Sequence, residues 1–208
     1  MSAPIPSLGG QPYPGAKRLM DIMLTLLSLP IVLPIAVLVA IAVRLDSPGP
    51  IVFRQPRTGR YGHPFGMYKF RTMVQNADEL KASLAHLNIL PPPDFKIPDD
   101  PRITRVGRVL RKTSLDELPQ LLNVLRGEMS LVGPRPTSFS KDTYELWQTE
   151  RLEVPPGLTG LWQVTARAES TFTERLRLDI EYIDRMSFWF DLRILGMTVL
   201  AIVRRSGV

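Results

Sequence analysis

The chain has no cysteine and only two histidines among its 208 residues. The first absence excludes a disulfide framework, a thiolate metal site and a cysteine nucleophile. His63 and His86 stand in loop and helix contexts with no partner at metal-ligand spacing, so neither is assigned a role. No Gly-x-x-x-x-Gly-Lys loop occurs, which removes ATP-driven chemistry of that type. No internal repeat is present. Residues 1–16 carry no charged side chain, are rich in Pro, Gly and Ser, and read as a disordered arm.

What the chain does have is positive charge, proline and one long apolar run. Its length suits a single domain with a real core. The net charge of +6 and pI of about 9.9 point to anionic partners. Nucleotide phosphates and an acidic membrane surface both qualify. Nucleic acid does not, because no recognised motif accompanies the charge.

The apolar run, residues 19–43, would reach about 37 Å as a straight helix, against a hydrocarbon core of about 30 Å. It is too long for a secretory signal, and no Ala-x-Ala cleavage pattern follows. Two features argue against an ordinary span. Pro30 and Pro34 lie in its middle, where a helix bends or breaks. Basic residues also flank both ends, Lys17 and Arg18 before, then Arg44, Arg54, Arg57 and Arg60 after. The positive-inside rule would keep both flanks on the cytoplasmic side. A helix that enters, breaks and leaves by the same face satisfies both observations; a single span is the alternative.

Asp46-Ser-Pro-Gly-Pro50 is a turn cluster, Ile51-Val-Phe53 a short strand, and residues 54–64 a basic loop. Met67-Tyr-Lys-Phe-Arg-Thr-Met73 alternates as a strand would, which puts Lys69 and Arg71 on one face. Residues 76–87 read as a helix with an Asn76-x-x-Glu79 cap signal. Residues 88–100 read as a loop able to close over a site. Residues 173–186 form an amphipathic helix. Phe188-Trp-Phe190 is an aromatic cluster of the interfacial kind. Residues 191–203 are apolar but short for a span, so they lie in the interface or pack on the core.

The chemistry concentrates in Thr113-Ser-Leu-Asp-Glu-Leu-Pro-Gln120. Two adjacent carboxylates, Asp116 and Glu117, follow a basic run of Arg102, Arg105, Arg108, Arg111 and Lys112. Leu118, Leu121, Leu122 and Leu125 recur at helical spacing, and Gly127 fits the C-cap. Ser114-x-x-Glu117 has the form of a capping box, but Pro119 would then fall beyond the first turn. With Asp116 as N-cap, Pro119 falls where no helical N–H is needed, and the carboxylate sits at the positive end of the helix dipole. Alone, the pair reads as a cap beside a solvated glutamate, since caps are common.

Several ordered blocks carry a resemblance. They are Lys17-Arg-Leu-Met-Asp21, Ser47-Pro-Gly-Pro50, Met67-Tyr-Lys-Phe-Arg-Thr-Met73, Asp100-Pro-Arg-Ile-Thr104, Gly107-Arg-Val-Leu-Arg111, Ser114-Leu-Asp-Glu-Leu-Pro-Gln120, Asn123-Val-Leu-Arg-Gly127, Met129-Ser-Leu-Val-Gly-Pro-Arg-Pro136, Pro156-Gly-Leu-Thr-Gly160 and Gln163-Val. Over residues 17–208 the chain resembles the bacterial sugar transferases, the monotopic phosphoglycosyl transferases, in their minimal catalytic form. The resemblance implies transfer of a sugar-1-phosphate from a nucleotide sugar, usually a UDP-sugar, to polyprenyl (undecaprenyl) phosphate. That is the first membrane step of surface glycan biosynthesis, and it releases UMP. By position it implies Asp116 as nucleophile, Glu117 beside it, and Mg²⁺ held by Asp116 and Glu117. It further implies Lys69, Arg111, Arg135 and Arg167 near phosphate or nucleotide, with Arg71 joining Lys69. Location at the bacterial inner membrane with the active site facing the cytoplasm follows from the same likeness. A homodimer is left open.

The family often breaks its membrane helix at Ser-Pro; here the matching pair is Leu33-Pro34, with Pro30 in addition. Carbonyls freed by Pro34 then need another partner, for which Ser28 and Thr25 are candidates. The expected fold is α+β and mostly helical. It has an N-terminal re-entrant helix-break-helix over residues 19–43, a catalytic core over 44–170 with a small strand element around a cytosolic active site, and amphipathic interfacial helices over 171–208. A membrane-attached scaffolding protein without catalysis and a nucleotide-sugar hydrolase are the rival classes.

Overall fold

In the computed structural model, which describes residues 15–90, 95–139, 143–166 and 171–203, the apolar run becomes one 32-residue helix, α1, Gly15–Asp46. Most of the arm and residues 204–208 lie outside the described residues, but residues 15 and 16 already belong to α1. The helix continues through Pro30 and Pro34, where the sequence predicts a break. Proline removes one donor and can bend a helix without ending it. Ser28 donates to the Thr25 carbonyl at 2.7 Å. It therefore does not serve the carbonyls that Pro30 and Pro34 leave free, which lie four residues before each ring.

One face of α1 packs on the body and the other does not. Met20, Asp21, Thr25, Val39 and Val43 are buried, while Leu27, Ile31 and Leu38 are 68, 70 and 67 % exposed. Leu24 and Val32 join one apolar cluster, and Ile35, Ala36 and Ala40 join the other. Both ends are fastened to the body. At the start, Lys17 Nζ meets Asp191 at 2.5 Å. Asp21 accepts from Ser130 Oγ at 2.8 Å and from the Leu131 N–H at 3.2 Å. Arg18 donates to the carbonyls of Val124 and Leu125. At the far end, Asp46 accepts the Val106 N–H at 2.9 Å.

Strands β1, Val52–Thr58, and β2, Pro64–Phe70, form an antiparallel hairpin with Phe53 opposite Lys69 and Arg57 opposite Phe65. The run 54–58, expected as loop, is therefore strand. The hairpin leaves Pro56 at a position where its missing donor is tolerated. Helix α2 is confined to Glu79–Ser83, followed by a 3-10 turn, Ala85–Leu87, rather than running from residue 76. Helix α3, Arg105–Thr113, starts at Thr104, whose hydroxyl accepts the Gly107 N–H at 3.0 Å. A 3-10 turn, Leu115–Glu117, leads to α4, Gln120–Arg126, which ends at Gly127 in the left-handed region (φ 80°) as expected.

Strand β3, Ser130–Val132, pairs in parallel with β4, Gly157–Thr159. Gly133 and Gly157 let the two chains approach closely: a Cβ on Gly157 would lie 2.1 Å from the Gly133 nitrogen. Helices α5, Leu161–Thr165, α6, Phe172–Asp184, and α7, Phe188–Val203, complete the order. A capping box at Thr171 and Glu174 starts α6. Helix α7 packs on the core through Asp191 and Ile194, which are fully buried, while Trp189, Val199 and Ile202 stay exposed.

The main core gathers Met67, Leu121, Val124, Met129, Leu131 and Val132 between β2, α4 and β3. Each fully buried aliphatic side chain there contributes about 1.5–3 kcal/mol. Val39, Val43, Phe70 and Leu110 form a second cluster where α1 crosses α3. The dyad sits at the corner between them. The architecture is mostly helical with a small strand element, as expected.

Candidate active site

The corner that carries the carboxylates is made by a reversal of the chain. Helix α3 ends at Ser114, which adopts the left-handed region (φ 57°, ψ 16°). That conformation is uncommon for a residue with a Cβ. The 3-10 turn that follows projects Asp116 and Glu117 side by side. The capping box whose form Ser114-x-x-Glu117 has is absent, as Pro119 argues, because Ser114 closes the preceding helix instead. Asp116 is not the N-cap of α4 either; that position is Pro119, and its missing N–H costs nothing there.

Strand β2 brings Lys69 to the pair. Its Nζ lies 2.9 Å from Glu117 Oε1 and 3.7 Å from Asp116 Oδ2. Asn123, fully buried on α4, fixes this distance. It accepts the Tyr68 N–H at 3.0 Å and donates to the Gly66 carbonyl at 2.9 Å, tying α4 to β2. The β3–β4 pair delivers Arg135. Gly157 N–H donates to the Pro134 carbonyl at 2.8 Å, and Arg135 Nη2 then reaches Glu117 Oε1 at 2.6 Å. Behind it, Arg151 donates to the Arg135 carbonyl at 2.5 Å and to Asp179 at 2.7 Å. Arg111, on the last turn of α3, is held at Nε by Thr72 Oγ1, 2.9 Å away. Its two terminal nitrogens have no protein partner among the described residues.

The two carboxylates are therefore unlike. Burial would raise Glu117, but the charges and hydrogen bonds of Arg135 and Lys69 outweigh it and hold the group at about 2. Burial raises Asp116 above the usual carboxylate range, opposed chiefly by Lys69 and then by Arg111 and Arg135. Asp116 accepts no hydrogen bond among the described residues, so its oxygens are available to an incoming electrophile. Arg57, on β1, is lowered to about 10 by burial and by the neighbouring Arg135.

A polar cavity of about 620 Å³ has Lys69, Arg57, Arg111, Asp116, Glu117 and Arg135 in its wall. It runs into a second of about 650 Å³, which shares Arg57, Arg111 and Arg135 and adds Phe139, Trp162 and Phe172. Cations at one end and aromatic rings at the other suit an anion joined to a flat ring. Below the dyad lies a third cavity of about 430 Å³, lined by apolar side chains of α1, α4, α7 and both short strands.

A hard divalent cation fits the dyad by its donor chemistry. Among the described residues no group of three or more His, Cys, Asp or Glu gathers. Lys69 and Arg135 both contact Glu117 Oε1, which leaves Oε2 clear of these two contacts. Two carboxylate oxygens plus substrate phosphate oxygens are a normal Mg²⁺ set.

The family model described as "Bacterial sugar transferase" matches residues 13–205. The chain belongs to the bacterial sugar transferase family. It is 43 % identical over 198 residues to the undecaprenyl-phosphate galactose phosphotransferase of Salmonella typhimurium, covering 92 % of this chain and 41 % of the relative. It is 42 % identical over 194 residues to the galactosyl transferase CpsE of Streptococcus agalactiae, covering 92 % and 43 %. It is 43 % identical over 192 residues to the UDP-glucose:undecaprenyl-phosphate glucose-1-phosphate transferase of Caulobacter vibrioides, covering 88 % and 68 %. The chain thus spans about two fifths of the length of the first two relatives.

For this family member, the structure brings together Lys69, Arg111, Asp116, Glu117 and Arg135. Arg167 lies outside the described residues, as do residues 91–94 of the expected closing loop. Arg71 lines the cavity, but its guanidinium turns away. It donates to the carbonyls of Ser47 at 2.6 Å, Val43 at 3.3 Å and Pro50. Strand β2 ends at Phe70, so the alternation that paired Arg71 with Lys69 has already stopped. Sequence reasoning missed Arg57 as a cavity residue, because it lay in a proline-containing basic run. It also missed Arg151, whose partner Asp179 is 28 residues away. Asp179 is pushed up to about 6 by burial, against the pull of Arg151.

Proposed function

We propose that this protein transfers a sugar-1-phosphate from a UDP-sugar to membrane polyprenyl phosphate through a covalent intermediate on Asp116. The observation that carries the reading is the asymmetry of the dyad. Glu117 is pinned by two cations, while Asp116 is buried among cations without being hydrogen-bonded. A nucleophile needs that freedom, and a metal-anchoring carboxylate needs that fixity.

The step balances as follows. An Asp116 oxygen attacks the phosphorus that carries the sugar. The bond from that phosphorus to the bridging oxygen breaks, and UMP leaves with the electron pair. A phosphate oxygen of the acceptor then attacks the same phosphorus and restores the Asp116 carboxylate. Arg111, Arg135 and Lys69 neutralise the charge that spreads over the phosphoryl oxygens. Mg²⁺ held by Asp116 and Glu117 would supply further neutralisation of the diphosphate. Arg57 and the aromatic end of the polar cavity receive the nucleoside. Relatives named for UDP-glucose and undecaprenyl phosphate support this choice of donor and acceptor.

The membrane seat follows from α1. A straight 32-residue helix would be about 48 Å long, enough to cross a bilayer. Yet Lys17 and Asp46 fasten its two ends to one body. A helix that dips into the bilayer and returns, bent near Pro30 and Pro34, satisfies both facts. In this reading the dyad works at the cytoplasmic face of the inner membrane, which the basic residues on both flanks of the apolar run support.

The test uses the full chain, Mg²⁺ and a panel of UDP-sugars without acceptor. UMP should appear in at most one equivalent, and intact-protein mass spectrometry should show a sugar-phosphate adduct that Asp116→Asn abolishes. Multiple equivalents of UMP would favour a hydrolase. Normal turnover by Asp116→Asn would reduce Asp116 to a metal ligand and leave direct attack by the acceptor.

A further inference from the structure

Arg135 sits between two prolines, Pro134 and Pro136. Strand β3 ends before it, at Val132. A residue that precedes proline is confined to extended backbone, but this does not fix it in space. Its carbonyl, in the wall of a folded core, needs a donor from elsewhere. Arg151 supplies that donor: Nη2 bonds the Arg135 carbonyl at 2.5 Å.

Arg151 is buried in the 3-10 turn Leu146–Leu152. Nε and Nη2 donate to Asp179 Oδ2 at 3.1 and 2.7 Å. Nη1 donates to the Tyr144 hydroxyl at 3.1 Å. That hydroxyl also bonds Thr137 Oγ1. From the opposite side, the Thr58 N–H donates to the Thr137 carbonyl at 3.0 Å. One guanidinium therefore braces the segment 135–137 at its start directly and at its end through Tyr144.

Asp179, fully buried on α6, neutralises Arg151. Without it a bare cation would stand behind Arg135 and repel it. Arg135 is instead held charged, by Glu117 first and then by Asp116 and Asp179. A buried ion pair is weak evidence for stability, because a well-packed apolar pair often does as well. An apolar pair could not, however, hold a main-chain carbonyl. Every nitrogen of Arg151 has a protein partner, whereas the terminal nitrogens of Arg111 have none among the described residues. Arg151 therefore acts through Arg135 and not on a ligand.

We propose that Arg151, locked by Asp179 and Tyr144, is the positioning residue that aims Arg135 at the phosphoryl group beside Asp116. This rests on the reading above that Arg135 faces the reacting phosphate.

The test is a double-variant cycle. Arg151→Lys keeps a cation for Asp179, but an ammonium cannot reproduce the fork that meets three partners. In the donor half-reaction, the rate constant of UMP release should fall about tenfold to a hundredfold, the scale of a small misplacement at a reacting centre. The amplitude of that burst counts folded protein and should hold. In an Arg135→Ala background the same change should alter the rate by less than about twofold, because the group it aims is gone. Multiplied losses in the double variant would overturn the proposal. So would a rate within about twofold of wild type in Arg151→Lys, or a loss confined to amplitude, which is what a purely structural role produces. A second cycle reads the Kd for UDP and needs no turnover. Arg151→Lys should weaken UDP about threefold or more in the wild-type background and leave it unchanged in Arg135→Ala. Failure of the assigned reaction would leave this coupling in place, whereas failure of the present proposal removes it. Should Arg151→Lys not fold, Tyr144→Phe, which takes one hydroxyl from a half-buried ring, replaces it in both cycles and the same outcomes decide.

Discussion

Replacing Arg135 with alanine removes the shorter of the two cation contacts on Glu117, at 2.6 Å against 2.9 Å for Lys69. The depression of Glu117 from 4.5 to about 2 corresponds to about 3 kcal/mol of preference for the ionised form. Arg135 is the largest of the charges that oppose burial, so its loss should remove much of that preference. The sign with pH follows. Glu117 is depressed in the folded protein, so its contribution is complete above about 4.5 and lost as pH falls toward 2. The stability difference between wild type and Arg135→Ala should be full at neutral pH and shrink in acid. The catalytic loss should be larger. A preorganised donor to a transition-state oxygen is worth about 2.7–4 kcal/mol, or a hundredfold to a thousandfold in rate. The assay is kcat/KM for the donor from UMP release, run beside thermal unfolding at two pH values. Arg135→Lys should recover only part of the rate, since an ammonium lacks the planar fork. Activity of Arg135→Ala within about threefold of wild type would refute the placement of Arg135 on the reacting phosphate.

Arg71→Met should lower the melting temperature while leaving the KM for donor nearly unchanged, because its guanidinium serves the carbonyls of residues 43, 47 and 50. A raised donor KM with unchanged stability would return Arg71 to the phosphate site. The absence of native cysteine allows topology to be read from Ser2→Cys and Ser206→Cys. Both should be protected from an impermeant reagent in intact cells, and labelling of Ser2→Cys alone would make α1 a simple span.

The residues of the candidate site are legible in the sequence because their signals are local. Asp116 and Glu117 are adjacent, Lys69 sits in an alternating strand, and Arg135 lies in a rigid Pro-Arg-Pro segment. What failed was each inference that required knowing where an element stops. The sequence favours Asp116 as a helix start because Pro119 then falls where no helical N–H is needed. The helix starts later, with Pro119 itself at the N-cap, and the left-handed Ser114 ends α3. Arg71 was given the face of Lys69 because alternation was carried one step past the end of β2. Arg57 was hidden because proline in a basic run argues for a loop, and only pairing with β2 makes it strand. Arg151 and Asp179 carry no signal at all in the sequence, since the pair exists only once α6 has folded back. The proline break in α1 was the plainest prediction, and there the helix continues.

Lys17 and Arg18 looked like charges that face the cytoplasm and orient the membrane segment. In the folded protein they face inward, Lys17 to Asp191 and Arg18 to the carbonyls closing α4. This makes the start of α1 depend on the far end of the chain, because Asp191 lies 174 residues after Lys17. Arg18, Asp21 and Asp46 separately join α1 to α4, β3 and α3. A chain without α7 would keep those ties and lose the Lys17–Asp191 ion pair.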